Sequence, residues 1–258
     1  MIAATADGFV PSRMTSPEPT PADRLVWRMA IEIADGAVVA TGVASPLAVL
    51  AIALARATHA PRLTYLACVG SLNPTVSRLL GSSEDLAYLA GRSAEISIPD
   101  LFDHARRGRI DTVFFGAVEV DGDGCTNLSA AGSLARPTVK FPGVAGACSL
   151  RRWCKRPILV VPRQTRRALV AQVAVRSTDD VRPTRLMTDL AAFTLGAPGA
   201  VLDAIAPGVT LDAVRARTGF GYAIAASLPT LHDPPDGAID VIHALDPAGL
   251  RRELVGAT

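Results

Sequence analysis

The segment from Ile110 to Asn127, IDTVFFGAVEVDGDGCTN, restricts the fold more than any other part of this chain. Its apolar run from Val113 to Val120 is interrupted only by Gly116 and Glu119. A short apolar run that ends in turn residues is typical of a strand covered on both faces, as in a parallel α/β sheet. The following Asp-Gly-Asp-Gly run favours a tight turn, because glycine tolerates positive φ and aspartate hydrogen-bonds its own backbone. We therefore predict a buried strand and a hairpin turn, with Gly116 leaving room for a neighbouring backbone or a ligand.

The composition excludes several classes of function. With 258 residues, 49% of them hydrophobic and 19% charged, the chain can bury the core of one α/β domain. Its formal net charge of +2 is too small to predict nucleic-acid binding through phosphate contacts. The sequence has no apolar run of the roughly 18 residues that a membrane span needs, and no basic start followed by an apolar core. We therefore expect a cytoplasmic protein that binds neither nucleic acid nor membranes.

The cysteines and histidines do not predict a metal site. The four histidines show no HExxH spacing, and the four cysteines form no CxxC pair. The cysteines are Cys68, Cys125, Cys148 and Cys154. Without a regular disulfide framework, reduced thiols are expected.

The chain divides into a proline-containing tail and one domain. Residues 1–22 contain four prolines among Ser and Thr and predict a flexible tail, and residues 23–254 predict a single α/β domain. Asp23 is expected to cap a helix over residues 24–34. Further helices are expected over residues 47–58, 84–92, 99–107 and 211–218, the last capped by Thr210, and a short final segment over 248–254. Strands are expected over residues 37–41, 63–69, 157–161 and 185–193, with 168–175 extended and 130–139 irregular.

The turn from Gly42 to Pro46 connects a predicted strand to a predicted helix. Ser45 can cap that helix, and Pro46 is suited to its first position. The free N–H groups at such a helix start favour anions, which makes the turn a candidate binding site. From these residues alone, an ordinary strand-to-helix connection is the alternative.

A second glycine-containing loop runs from Phe141 to Ser149 and precedes a predicted helix. Gly143, Gly146 and Ala147 leave its backbone accessible, so that its N–H groups can face a ligand oxygen. A lone G-x-x-G spacing also occurs in loops that bind nothing.

Three motifs together resemble the β subunits of class I coenzyme A transferases. The first is the strand-turn Gly116-Ala117-x-x-Val120-Asp121-x-x-Gly124-x-x-Asn127. The second is Thr188-Asp189-Leu190-Ala191, and the third is Pro207-Gly208-Val209-Thr210 with Val214 and Thr218. The resemblance implies an open, mostly parallel α/β sheet with flanking helices. It also implies an α subunit as partner and an acyl-CoA as substrate, with coenzyme A part of the substrate and no other cofactor.

The resemblance also implies which residues shape the acyl-CoA pocket. They are Gly42, Ser45, Gly70, Gly116, Ala117, Asn127, Gly143, Gly146 and Ala147. The basic cluster Arg151, Arg152, Lys155 and Arg156 is either a solvated helix face or a contact to CoA phosphates or to the partner.

The transferase nucleophile is missing from this chain. In the family, a glutamate in a Ser-Glu-Asn-Gly motif attacks the thioester, whereas here Leu66 to Ser71 reads LACVGS, and the next carboxylate is Glu84. Ala, Val or Gly cannot replace a carboxylate nucleophile. Cys68 lies in an apolar stretch that would raise its thiol pKa, so a packed core cysteine is expected. We therefore expect no catalytic residue on this chain.

Within the family, the likeness extends to the β subunit of glutaconate CoA-transferase and to the CoA hydrolases that open the last rings of cholesterol. The run Gly132-x-Leu134-x-Arg136-Pro137-Thr138 resembles those hydrolases, which also lack the β-subunit glutamate and carry an essential glutamate on the α subunit. The resemblance implies hydrolytic carbon–carbon ring opening in steroid degradation. A CoA transferase with a repositioned nucleophile and a non-catalytic stabilising subunit are the alternatives.

Overall fold

The computed structural model describes residues 18–178 and 182–256 of the chain. Its helices are α1 Pro21–Ile31, α2 Pro46–Thr58, α3 Ile98–Arg106, α4 Ala147–Trp153, α5 Leu211–Ala216, α6 Asp236–Leu245 and α7 Leu250–Val255, with a 3₁₀ turn at Leu86–Leu89. Its strands are β1 Val38–Thr41, β2 Thr64–Ala67, β3 Ser71–Leu72, β4 Ala94–Glu95, β5 Thr112–Gly116, β6 Glu119–Val120, β7 Thr126–Asn127, β8 Ala130–Ser133, β9 Arg136–Lys140, β10 Arg156–Val161, β11 Thr184–Thr188, β12 Ala191–Leu195, β13 Ala200–Ile205 and β14 Tyr222–Ile224.

Ten of the strands in the described residues form one mixed sheet in the order β14-β13-β12-β11-β10-β5-β1-β2-β3-β4. The five central strands, from β11 to β2, are parallel. After β2 the chain returns to the other side of β1 to form β5, so the direction of winding reverses between β1 and β5. Crevices at the carboxyl ends of strands on either side of such a reversal are the usual ligand sites of open α/β sheets.

Helices cover both faces of the sheet, which confirms the predicted fold class. One apolar core lies between the sheet and helices α1, α2, α6 and α7. The other core lies between the opposite face and helices α3, α4 and α5. Along β5, Phe114 packs into the first core, and Val113 and Phe115 pack into the second. The apolar run therefore forms a strand buried on both faces, as its pattern predicts.

That strand is shorter than predicted, because β5 ends at Gly116. Ala117 and Val118 leave the sheet, and Glu119–Val120 pairs with Thr126–Asn127 across the predicted Asp-Gly-Asp-Gly turn. Gly116 consequently lies at the carboxyl end of the strand rather than inside it, where it is exposed.

The first helix begins earlier than the sequence predicts. Thr20, rather than Asp23, is the N-cap of α1, because its hydroxyl accepts the Asp23 N–H at 3.2 Å while the Asp23 carboxylate accepts the Thr20 N–H at 2.8 Å. The tail predicted for residues 1–22 therefore includes the start of a helix, and its residues 1–17 lie outside the described part of the chain.

Four other predictions of secondary structure were wrong. Residues 84–92 form only a single 3₁₀ turn, and residues 130–139 form most of the antiparallel hairpin β8–β9. Residues 168–175 form turns with one isolated bridge, and the strand predicted over 185–193 is interrupted by the turn between β11 and β12. Helix α6 was not predicted. None of the helices within residues 18–178 and 182–256 combines the length and hydrophobicity that crossing a membrane requires.

Candidate active site

A cleft of about 190 Å³ opens at the carboxyl ends of β1, β5 and β10, where the winding of the sheet reverses. Three residues predicted to bind substrate, Ser45, Gly116 and Ala117, line it together. A Cβ atom at Gly116 would meet no atom within 4 Å, so this glycine leaves open space at the floor of the cleft. Other lining residues are Met29, Ala44, Pro46, Leu47, Ala48, Phe114, Val160, Pro162 and Leu254.

The turn between β1 and α2 has the predicted position but a different hydrogen-bond pattern. Ser45 is the N-cap of α2 and Pro46 its first residue, as expected. The Ser45 hydroxyl does not cap the helix, because it donates to the Val43 carbonyl at 3.1 Å. Ala44 adopts a φ of 53°, which is uncommon for a residue other than glycine and often marks a functional turn.

Cys68 lies directly after β2, at the same edge of the sheet but not among the residues that line the cleft, and is half-buried. Its Sγ lies 3.2 Å from the Gly42 carbonyl oxygen and 3.6 Å from Oε1 of Glu84. Burial, with the charge of Glu84 added, raises the pKa of the Cys68 thiol to about 11. The predicted direction of this pKa shift is confirmed, but the expected core cysteine is instead a protonated thiol beside a carboxylate.

Glu84 is the carboxylate that the sequence reasoning did not place beside Cys68. It lies 16 positions after Cys68 in the sequence, yet the loop after β3 returns its carboxylate to the end of β2. Burial alone would raise the pKa of Glu84, but hydrogen bonds from Ser82, Ser83 and the Ala44 backbone outweigh it and hold that pKa below its ordinary value. The only signal in the sequence is the polar run Ser82-Ser83-Glu84 after Gly81.

The Glu84 carboxylate is fixed by three donors. Oε1 accepts the Ala44 N–H at 2.8 Å and the Ser83 hydroxyl at 2.9 Å, and Oε2 accepts the Ser82 hydroxyl at 2.5 Å. The Ser83 hydroxyl in turn accepts the Ser45 N–H at 3.0 Å. Gly42, the fourth predicted residue at this edge, belongs to the same network because its carbonyl oxygen lies 3.2 Å from Sγ of Cys68 and 3.1 Å from Oγ of Ser83.

Gly70 and Asn127 support the surrounding backbone. Gly70 has a φ of 104° and donates to the Ala67 carbonyl at 3.0 Å, which closes the turn that contains Cys68. The Asn127 side chain is fully buried. Its amide donates to Glu119 and to the Ala130 carbonyl, and its oxygen accepts backbone N–H groups at positions 129 and 130. Asn127 therefore stabilises the β6–β7 hairpin and has no free polar atom for a substrate, contrary to the prediction.

Gly143, Gly146 and Ala147 do not line the cleft. Gly146 is the N-cap of α4, on the face of the sheet opposite α2. A Cβ atom at Gly146 would lie 2.2 Å from Cζ of Phe102, so this glycine allows α3 and α4 to pack closely. The structure thus gives this loop a packing role on the α4 side of the sheet, whereas the sequence predicted a part of the pocket.

The basic cluster after this loop is mostly engaged within the chain. Arg151 is buried and donates to the Gly124 carbonyl at 2.7 Å, and Lys155 pairs with Asp111 at 2.7 Å. Arg156 pairs with Glu32. In the part of the chain that the structure describes, no three His, Cys, Asp or Glu side chains converge to hold a metal ion.

Comparison with known proteins identifies the family. Residues 24–217 match the family described as Coenzyme A transferase. The crystal structure of the decarboxylase AibA/AibB contains a chain that superposes with a TM-score of 0.90 at 59% identity, covering 92% of this chain and 99% of that chain. That decarboxylase has also been solved as variants in which a cysteine is replaced by Asn, Val, Ala or Ser.

Two further relatives are more distant. The β subunit of the 3-oxoadipate CoA-transferase of Pseudomonas knackmussii is 27% identical over 234 residues, which are 82% of this chain and 87% of that protein. The cholesterol ring-cleaving hydrolase IpdB subunit of Rhodococcus jostii is 32% identical over 168 residues, which are 58% of this chain and 65% of that protein. The resemblance inferred from the sequence motifs is confirmed, and the chain belongs to the coenzyme A transferase family.

Proposed function

We propose that this chain is the β subunit of a heteromeric enzyme of the coenzyme A transferase family that decarboxylates an acyl-CoA bearing a second carboxylate. One observation carries the proposal: 59% identity to the decarboxylase AibA/AibB over nearly the whole length of both chains. That protein is named as a pair, which supports the α subunit that the resemblance implies for this chain. The geometry around Cys68 agrees with decarboxylation better than with the transferase reaction.

The reaction needs an electron acceptor and a proton donor. The bond between the substrate carbon and its carboxylate breaks, CO₂ leaves, and the electron pair moves into the thioester as an enolate. This requires a carboxylate on the carbon next to the thioester carbonyl, or on the saturated carbon that follows a double bond conjugated with that carbonyl, as in glutaconyl-CoA. The enolate carbon then takes a proton from the Cys68 thiol, and the resulting thiolate regains one from water. Coenzyme A enters as part of the substrate, and no further cofactor is needed.

The state of Cys68 favours this role over nucleophilic attack. Because its pKa is raised to about 11, the thiol carries its proton at neutral pH, and the thiolate is the nucleophilic form of cysteine. Glu84, the nearest carboxylate, is held by three hydrogen bonds and does not line the cleft. A protonated thiol can donate to an enolate, and such general acids typically accelerate a step by about 10²–10⁴-fold.

Hydrolytic ring opening is the second candidate. The 32% identity to the cholesterol ring-cleaving hydrolase IpdB subunit favours it, together with the Gly132 to Thr138 motif. In this case the carboxylate of the α subunit would activate water or attack the ring carbonyl. The relative named as a 3-oxoadipate CoA-transferase keeps CoA transfer as an outcome of the test, although the missing nucleophile opposes it.

The test uses this chain co-purified with its α partner. The complex is incubated with monothioesters of short dicarboxylic acids, including glutaconyl-CoA, with a ring-containing β-keto acyl-CoA, and with each in the presence of acetate. We expect release of CO₂ and, in D₂O, one deuterium in the product. An open-chain product without loss of CO₂ would mean a hydrolase, and acetyl-CoA would mean a transferase. Full activity of the α subunit alone would mean that this chain only stabilises its partner.

Cysteine substitutions test the assignment of the proton donor. Cys68→Ala is expected to lower kcat by about 10²-fold, which is the lower end of the contribution of a general acid. Cys148→Ala is the matched control, because Cys148 is also half-buried but lies on α4, where its thiol donates to the Ser177 carbonyl. Equal turnover in both variants would remove Cys68 from the mechanism.

A further inference from the structure

We propose that Glu84 is a positioning residue for Cys68: its fixed carboxylate accepts a hydrogen bond from the Cys68 thiol at 3.6 Å and, together with burial, disfavours the thiolate. The inference deepens the proposed function and rests on it. It explains why a carboxylate lies beside Cys68, the residue at the position where the family resemblance predicts a nucleophile.

The first support is the way in which three segments of the chain meet at one carboxylate. The β1–α2 turn provides the Ala44 N–H, the loop after β3 provides two serine hydroxyls, and the end of β2 provides the Cys68 thiol at 3.6 Å. Hydrogen bonds to an ionised carboxylate are stronger than those between neutral groups. Because its oxygens accept from several directions, the Glu84 carboxylate is held in place beside Cys68.

The second support is the absence of a compensating cation within the described residues. None of their arginine, lysine or histidine side chains forms an ion pair or hydrogen bond with Cys68 or Glu84. The other titratable group at this place is Tyr65, whose hydroxyl lies 3.0 Å from Oγ1 of Thr41. Burial raises the pKa of Tyr65, so it remains neutral. The charge of Glu84 is therefore not offset, and formation of a thiolate beside it is unfavourable.

In the reaction, the Cys68 thiol therefore acts only as a proton donor. Cysteines that serve as nucleophiles have lowered pKa values, usually beside a cation or a helix N-terminus. Cys68 has the opposite environment, with burial and a carboxylate both favouring the neutral form. After a proton passes to the enolate, repulsion between the thiolate and Glu84 favours rapid reprotonation by water. The charge of Glu84 thus favours return of the proton to the Cys68 thiol, although Glu84 itself does not contact the substrate.

Glu84→Gln tests this assignment, because glutamine keeps the size of the side chain and removes its charge. In the co-purified αβ complex, alkylation of Cys68 by iodoacetamide is followed as a function of pH, with peptide mass spectrometry to separate it from the other cysteines. We expect the midpoint of the alkylation profile to fall below that of the native complex. At pH 8 this predicts roughly threefold or faster alkylation, which corresponds to about half a pKa unit. In the decarboxylation assay kcat should fall with KM nearly unchanged, because the thiol, still protonated at neutral pH, loses the carboxylate that orients it.

The control is Glu95→Gln, which removes an exposed carboxylate of β4 that pairs with Arg92 at 3.5 Å outside the cleft. It should leave both the alkylation profile and turnover unchanged. Glu84→Asp, which keeps the charge, should restore the high midpoint at least partly. Circular dichroism of each variant complex establishes that it is folded.

An unchanged alkylation midpoint in folded Glu84→Gln would overturn the inference, and so would a lowered midpoint in Glu84→Asp equal to that of Glu84→Gln. Alkylation requires no substrate. A complex that releases no CO₂ would therefore count against the proposed function, while the effect of Glu84 on the thiol would still be measured.

Discussion

Replacing Arg251 by methionine is expected to destabilise the fold strongly, because this arginine joins the first and last helices of the described chain. Its Nε lies 2.6 Å from Oδ1 of Asp23 on α1, and its Nη1 lies 2.9 Å from Oδ2 of Asp246 after α6. The exposed fractions of the three side chains are 1–2%. One guanidinium therefore pairs with two carboxylates that have almost no access to water.

The burial of these three side chains sets the expected loss in the free energy of unfolding. Removal of one partner from a buried ion pair leaves an uncompensated charge and typically costs about 3–5 kcal/mol. Methionine fills much of the space of the arginine stem, so lost packing adds little. Arg215→Met is the matched control, because Arg215 pairs with Asp212 at 3.4 Å while the two side chains are 60% and 91% exposed. Such surface pairs contribute about 0.5 kcal/mol or less.

The assay is urea unfolding of the full chain, followed by circular dichroism at two protein concentrations to detect any contribution of association. A difference of less than about 1 kcal/mol between Arg251→Met and Arg215→Met would contradict the reasoning, since it would place the buried network in the range of surface pairs.

The pH dependence gives a second check on the same network. Burial alone would raise the pKa of Asp23, but hydrogen bonds from Thr20 and Arg251 hold it below its ordinary value. Because the pKa is lower in the folded state than in the unfolded state, the stability due to Asp23 is present above about pH 3.9, the ordinary aspartate value, and is lost as the pH falls through the folded value. The stability advantage of the native chain over Arg251→Met should therefore shrink below about pH 4.

Two further predictions concern packing and capping. Gly146→Ala should destabilise the chain by about 1–3 kcal/mol in urea unfolding, because the new methyl group would overlap Phe102. Gly116→Ala, which meets no atom within 4 Å, should leave stability nearly unchanged but lower turnover by reducing the cleft; equal stability of the two variants would contradict the packing argument. Thr210→Ala should cost about 1 kcal/mol, because its side chain accepts the N–H of Ala213 at the start of α5. Ser45→Ala should cost clearly less, because the Ser45 hydroxyl does not cap α2; an equal loss would show that the hydroxyl caps the helix in solution.

Local patterns predicted the central sheet well. The run around Phe114 is apolar on both faces, and only a strand between two helical layers can bury such a run. The strand-to-helix turn ending in Ser45-Pro46 was also found where its residue types place it. Both features depend on side chains that are neighbours along the chain, so the sequence contains the necessary information.

Errors arose where distant contacts decide the outcome. Arg151 was predicted at a solvated helix face or a phosphate contact, yet it is buried because the Gly124 carbonyl and the Thr178 hydroxyl accept its N–H groups. Asn127 was predicted at the pocket, but the β6–β7 hairpin uses all of its amide atoms. The hydrogen-bond partners of Arg151 and Asn127 cannot be predicted from the spacing of residues in the sequence, because they depend on how separate segments fold against one another.

Residue identity and short-range pattern were enough to establish the family, the mostly parallel α/β sheet and the loss of the family glutamate at Cys68. None of these depends on the positions of other segments. The carboxylate beside that cysteine, by contrast, is a product of the tertiary fold. Glu84 comes 16 residues later and reaches Cys68 because backbone and hydroxyl donors at Ala44, Ser82 and Ser83 fix it there. The chemistry of the thiol follows from that contact, since the charge and burial around a titratable group set its pKa.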